Sequence, residues 1–308
     1  MIFIDKMKER EKILNPEFDR LIELAWKNQS HFGDLLLVHI NGFYEASISK
    51  QNAHSGKKYN PHVIGPGPEG HSEFAHYSFI NKYRTTNISK LNYSEYLKLH
   101  EYTPERSKEI DELVDLEETS IQLEMLVYLK FWEADMIIKK LYQFVRILNG
   151  EPYDWYFKVQ GSLRDKNSSG SRQEIIRLKI CDKLQNHSPI VCDLIRNTYK
   201  TQIRNSIAHS NYSFLGRNIH PNNFIEGDQF AQLRYITFDD WINIFHNTLV
   251  LHNQYIRMNN EINDFYAGIA KENGNEMEIR ITEKSGKQYP VIVEYRPEYK
   301  EWNPKIYN

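Results

Sequence analysis

The chain has 308 residues, 40% of them hydrophobic and 26% charged, with a formal net charge of −2. That length holds two modest domains or one domain with large additions, and the composition is that of a globular, soluble protein. A nearly neutral balance argues against a protein that coats nucleic acid indiscriminately.

No apolar run reaches transmembrane length, and the opening Met1-Ile2-Phe3-Ile4-Asp5-Lys6 turns charged too soon for a secretory signal, so a cytoplasmic location and no membrane partner are expected. Cys181 and Cys192 are the only cysteines. They are too few for a disulfide framework, offer at most half of a zinc site, and are expected to be buried free thiols.

In chain order, residues 1–27 predict a helix or two, with Asn15-Pro16 starting the second because proline suits a first helical turn. The run Leu35-Leu36-Leu37-Val38 fits either a short strand or a turn of buried helix, and periodicity does not decide. Residues 41–76 read as loop. Their Gly65-Pro66-Gly67-Pro68-Glu69-Gly70 is a turn cluster: it lacks the Gly-Lys-Ser/Thr ending that sets a lysine on a phosphate, and its prolines remove amides that would have to donate. His54, His62, His71 and His76 crowd the same region, but their spacings fit no metal-ligand pattern, and exposed loop histidines are the better account. Residues 77–102 mix aromatics with lysines, a pattern that suits base stacking but more often packs a core and its rim.

A boundary falls near Thr103-Pro104, where an acidic helix begins. Residues 113–149 carry the strongest helical pattern, through Tyr128, Phe131, Trp132, Ile137, Phe144 and Leu148, and Gly150 with Pro152 ends it. Its apolar surface is too wide for one neighbour, which places it inside a bundle or at a subunit contact. Glu133 and Asp135 interrupt it; two residues apart on a helix they point about 200° apart and form no carboxylate pair, although one of them could orient a site residue. A polar loop with the tip Asn167-Ser168-Ser169-Gly170-Ser171 precedes a shorter amphipathic helix over 172–186.

Ser188-Pro189 then opens the helix that organises the chain, expected to continue unbroken through residues 193–212. Ile195, Tyr199, Ile203 and Ile207 recur every four residues and form its buried stripe. Asn205 and His209, four apart, share a face roughly opposite that stripe, and Arg204 sits on the flank. An arginine and a histidine presented at a helix end can hold a phosphate and move a proton, the two acts needed to break an RNA backbone. The stretch 153–204 that leads into this motif holds ten basic and five acidic residues, against three basic and eleven acidic in 101–135.

Beyond it, residues 212–215 and 230–238 read as two short strands joined by a polar loop, with Arg217 and His220 as candidates for substrate contact. Thr237-Phe238-Asp239-Asp240 starts a long helix in which His246 and His252 are packing or surface residues. The tail from 277 to 295 alternates around Lys284-Ser285-Gly286-Lys287 as a β-hairpin.

The hexapeptide Arg204-Asn205-Ser206-Ile207-Ala208-His209 resembles the Arg-x4-6-His signature, often Arg-Asn-x3-His, of HEPN domains, small helical bundles many of which are metal-independent ribonucleases. The surrounding helical pattern extends the resemblance over residues 113–266. Family toxins paired with a nucleotidyltransferase antitoxin tend to carry Arg-x4-His-x-Tyr; here the tyrosine, Tyr212, comes one residue later, and tyrosine modification is not carried over.

The resemblance implies a mainly α fold: a HEPN-like helical bundle over 104–266, short β-hairpin additions including an appendage over 267–308, and an N-terminal α-rich or mixed region over 1–103. It implies an endoribonuclease that works by attack of the 2′-hydroxyl on the adjacent phosphate, with His209 as general acid or base, Arg204 on the phosphate and Asn205 binding substrate or fixing the imidazole. RNA is the expected substrate, with no cofactor and no metal. A homodimer is expected because one motif supplies one histidine and family nucleases pair two motifs across one cleft. Such proteins often serve in phage defence or as growth-arresting toxins, with a regulatory or antitoxin partner. The competing expectation is a HEPN-like nucleotide- or RNA-binding protein, or dimeric scaffold, without catalysis.

Overall fold

Apolar residues recur at helical spacing along most of the chain, and helices are what they form: a computed structural model, which describes residues 1–51, 60–162, 165 and 167–305, is 58% helix and 13% strand. The mainly α class follows, with small antiparallel sheets. His54 lies outside the described residues. The chain divides into two compact units, each assembled from three separate stretches: residues 1–17, 73–134 and 189–254 in the first, 18–72, 135–188 and 255–308 in the second.

In the first unit, helix α6 (Ser107–Trp132) packs on α11 (Thr201–Ala208), which follows α10 (Pro189–Thr198), and meets the start of α12 (Phe238–Glu272) through Tyr128 and Trp241. Tyr128, Phe131, Trp132, Trp241 and Phe245 fill the core, and burying each such side chain stabilises the fold by about 1.5–3 kcal/mol. The polar handles of this core are matched: Trp241 Nε1 donates to Glu124 Oε2 at 2.7 Å, and His246 Nε2 accepts from the Phe3 amide at 2.9 Å. His246 and His252 are therefore packing residues, both about 1% exposed. The start of α12 is as its sequence suggested, with Thr237 Oγ1 accepting from the Asp240 amide at 3.0 Å.

Two long helices expected from periodicity are broken. The strongly helical stretch ends α6 at Trp132 and resumes as α7 (Asp135–Leu148), leaving Glu133 as the cap of α6. The motif helix breaks at Tyr199-Lys200, where Lys200 is extended (φ −119°, ψ 117°). One phenol serves both sides of that break: Tyr128 Oη donates to the Thr198 carbonyl at 3.0 Å and accepts from the Lys200 amide at 3.3 Å. The apolar stripe runs through the break undisturbed, which is why periodicity alone could not show it. By contrast α1 (Ile4–Asn28) is one helix with Pro16 inside it, not two.

Residues 41–76, read as loop, contain regular structure. Strands β1 (Gly42–Tyr44) and β2 (His62–Ile64) pair antiparallel, α3 covers Ala46–Gln51, and α4 (Gly67–Thr86) begins within the glycine-proline cluster, followed by the short α5 (Tyr93–Lys98). The helix expected over 172–186 is α8 (Arg172–Glu174), a π-helical stretch Ile175–Cys181 and α9 (Asp182–Leu184). The ambiguous run at 35–38 is helical, part of α2 (Asp34–Ile40), and wholly buried. In the second unit α2 packs on α7 and on the sheet β6 (Glu276–Thr282), β7 (Gln288–Arg296), β8 (Glu301–Pro304). The expected tail hairpin is there, with a third strand. Gly33, at φ +107°, starts α2 where an added Cβ would sit 3.0 Å from the Glu278 carbonyl.

Neither cysteine is a free thiol. Cys181 and Cys192 are buried, as expected, but both are disulfide-bonded.

Candidate functional site

Helix α11 ends on a double hydrogen-bonded turn. The Asn211 amide reaches back to the Ser206 carbonyl at 2.7 Å and the Ser210 amide to Ile207 at 3.1 Å, with Ser210 in the left-handed region at φ +52°. His209 is the cap residue of this turn. Backbone groups close the helix end without its side chain, and the imidazole is left exposed.

The stripe residues Ile195, Tyr199, Ile203 and Ile207 are all buried, so the opposite face of α11 looks outward. Arg204 and Asn205 are half-buried there. The Arg204 Nη1 donates to Asn205 Oδ1, and its Nε is paired with Glu133 Oε1, the two side chains being 21% and 30% exposed. Glu133 is in reach because α6 ends beside it, with Trp132, the residue before it, and Tyr128, just over a turn back, packed on the α10/α11 break. Among the described residues no hydrogen bond or ion pair engages its Nη2 group.

The structure thus joins Arg204 to Asn205 and adds Glu133 to them. Among the described residues no hydrogen bond or ion pair ties His209 to the three. Glu133 is the acid that orients a motif residue; Asp135 instead pairs with Arg172 at 2.6 Å in the second unit.

The strands after the motif differ from their sequence reading. β3 (Tyr212–Phe214) pairs with β4 (Asn218–Pro221), drawn from what looked like the polar loop, and β4 pairs with the two-residue β5 (Ile236–Thr237). Arg217, expected near substrate, is committed elsewhere. It forks onto the buried Glu117 through Nε and Nη2 at 2.8 and 2.9 Å and meets Asp239 at 3.1 Å. His100 Nε2 lies 3.0 Å from the same Glu117. His220 is half-buried, its ring 6.2 Å from that of Tyr235.

Of the loop histidines, His62 is buried rather than exposed, with Nε2 3.1 Å from Tyr156 Oη. Among the described residues no group of three or more His, Cys, Asp or Glu side chains is placed to hold a metal ion, and no helix is long and apolar enough to cross a membrane.

Sequence reasoning missed one feature of the second unit, a cavity of about 640 Å³ with Lys139 in its wall. Lys139 is 6% exposed, and burial pushes its ammonium down to about 8. The signal was present: Lys139 follows Met136-Ile137-Ile138 on a strongly amphipathic helix, where a lysine is out of place.

No protein-family model, no curated protein and no solved structure matches the chain.

Proposed function

We propose that the chain is a metal-independent endoribonuclease of HEPN type. The HEPN-like bundle is assigned to residues 104–266, and two copies form a homodimer whose paired motifs line one cleft. The observation that carries this reading is the exposed imidazole of His209 five residues beyond a guanidinium that Glu133 engages at Nε and Asn205 at Nη1. A phosphate would meet Arg204 through the Nη2 group, which opposes charge growing on the phosphate oxygens. One subunit's His209 would take the proton of the 2′-hydroxyl, and the other's would deliver a proton to the departing 5′-oxygen. The products are a 2′,3′-cyclic phosphate and a 5′-hydroxyl. A toxin or phage-defence role, with a regulatory or antitoxin partner, goes with this reading.

The test is incubation of the purified protein with RNA in excess chelator, beside His209→Ala and Arg204→Ala. Cleavage that survives both substitutions rules the proposal out.

A second reading has its own support. The Glu133 carboxylate already neutralises Arg204, as in a site that binds or braces without catalysis. A HEPN-like nucleotide- or RNA-binding protein or dimeric scaffold would leave RNA intact and form a dimer that weakens in His209→Ala.

A further inference from the structure

The cavity beside Lys139 is built from two short aromatic runs, Phe43-Tyr44 on β1 and Trp155-Tyr156-Phe157 after α7. Its volume, about 640 Å³, lies in the range of small-molecule sites. A shallower pocket of about 350 Å³ shares Tyr44, Tyr156 and Lys284 with it. Close packing fixes the walls. The Tyr44 and Tyr156 rings are 4.8 Å apart, and Gly42 approaches Trp155 so nearly that an added Cβ would sit 2.7 Å from the indole.

Charge and hydrogen bonding specify the occupant. Lys139 Nζ donates to the Gly42 carbonyl at 2.9 Å and lies 5.5 Å from the Phe43 ring centroid; among the described residues it has no ion-pair partner. An ammonium so buried and unpaired disfavours an apolar or cationic ligand and favours an anion. Lys284 adds a second ammonium, 4.9 Å from the Tyr156 ring centroid. Trp155 is 1% exposed, and its Nε1 is a buried donor with no acceptor among the described residues. Glu69, in the same wall, offers a carboxylate to a ligand N–H. Lys158, Asp165 and Asp135 are taken up by their own ion pairs, and the Glu45 carboxylate, also in the wall, accepts from the Ser47 amide at 3.0 Å.

A ligand that meets all of this carries a flat ring to stack, hydrogen-bonding atoms on the ring edge, and a separate anionic group. A simple aromatic carboxylate lacks the polar ring edge that the Trp155 and Glu69 groups would meet. We infer that this cavity binds a nucleoside monophosphate, its base against the aromatic walls and its phosphate toward Lys139 and Lys284. The site is distinct from Arg204 and His209 and does not depend on the nuclease reading. A free nucleotide and one nucleotide of an RNA strand share this chemistry.

The test is isothermal titration of the full chain with 5′-AMP, adenosine, inorganic phosphate and a short oligoadenylate. 5′-AMP is expected to bind at one site per chain, with adenosine and phosphate at least tenfold weaker. Lys139→Met and Lys284→Ala should each weaken 5′-AMP about tenfold. Lys284 is exposed, so its variant tests the site even if the buried Lys139 variant does not fold. Tighter binding of 5′-AMP identifies a free nucleotide as the occupant; tighter binding of the oligoadenylate identifies a strand where Lys284→Ala weakens it as well, and oligoadenylate binding that Lys284→Ala leaves intact belongs to another site and counts against the cavity. Absence of saturable 5′-AMP binding, equal binding of phosphate alone, or an unaffected Lys284→Ala would overturn it.

Discussion

The Glu133 carboxylate, at the cap of α6, is paired with the Nε edge of Arg204 on α11. That contact, with Asn205 on Nη1, turns a guanidinium on a helix flank into an oriented one. In the proposed nuclease Glu133 is a positioning residue: it touches Arg204 and not the phosphate.

Glu133→Gln keeps the shape and removes the charge. Cleavage should fall about tenfold, equivalent to about 1.4 kcal/mol of barrier, through kcat more than KM, because the phosphate contact is loosened in the transition state. The pair is partly exposed, so unfolding free energy should change by no more than about 1 kcal/mol. Denaturant titration and steady-state kinetics of the same preparation separate the two effects.

His209→Ala should abolish cleavage by a factor of about 10²–10⁴, the usual contribution of a general acid or base. Its side chain is exposed and the helix end is closed by backbone hydrogen bonds, so stability should stay within about 0.5 kcal/mol of the parent. Mixed dimers of His209→Ala and Arg204→Ala subunits, assayed for cleavage, check whether the two copies contribute different groups to one site.

Acid should weaken the first unit. Burial holds the His246 imidazole down at about 4 and that of His252 at about 3, while an unfolded chain protonates both near 6.5. The unfolded state binds more protons below pH 6.5, so stability is lost as pH falls from there toward 4, by about 2 kcal/mol per histidine at pH 5. Asp34 in the second unit has the opposite sign, since burial raises its carboxyl to about 6 and the folded form gains stability as it protonates. His252 Nδ1 has no hydrogen-bond partner among the described residues, so His252→Leu removes a titrating group and orphans nothing. Urea unfolding at pH 7 and pH 5 should show the variant's pH dependence reduced by about 2 kcal/mol.

Glu117 is the hub of a buried polar cluster, holding Arg217 by two hydrogen bonds and lying 3.0 Å from His100. Glu117→Ala leaves the arginine without its fork and should destabilise the fold by about 3–5 kcal/mol, measured as a lower denaturant midpoint. Substituting Asp239, which is half-exposed, should cost far less.

Several of these features could be read from residues alone. The stripe Ile195, Tyr199, Ile203, Ile207 is buried as its four-residue recurrence required, and the capped start of α12 and the tail hairpin follow their local signals. Glu133 was visible as an acid out of place in an apolar helix. Its partner was not, because the pairing spans 71 positions of sequence and depends on where α6 stops. Periodicity missed the breaks at Glu133-Ala134 and Tyr199-Lys200 because the apolar pattern continues across them.

The sequence by itself determined that this protein is mainly helical, which faces of its helices are apolar, and that Arg204, Asn205 and His209 stand together at one helix end. Those are local properties, set by side-chain spacing along a repeating backbone. Only the tertiary structure decided that Glu133 and not Asp135 reaches Arg204, that Arg217 is locked onto Glu117, and that aromatic runs more than a hundred residues apart enclose a cavity with Lys139 in its wall. Each depends on segments distant in sequence being brought within contact distance, where short-range packing and charge pairing, absent from any single segment, choose the partner.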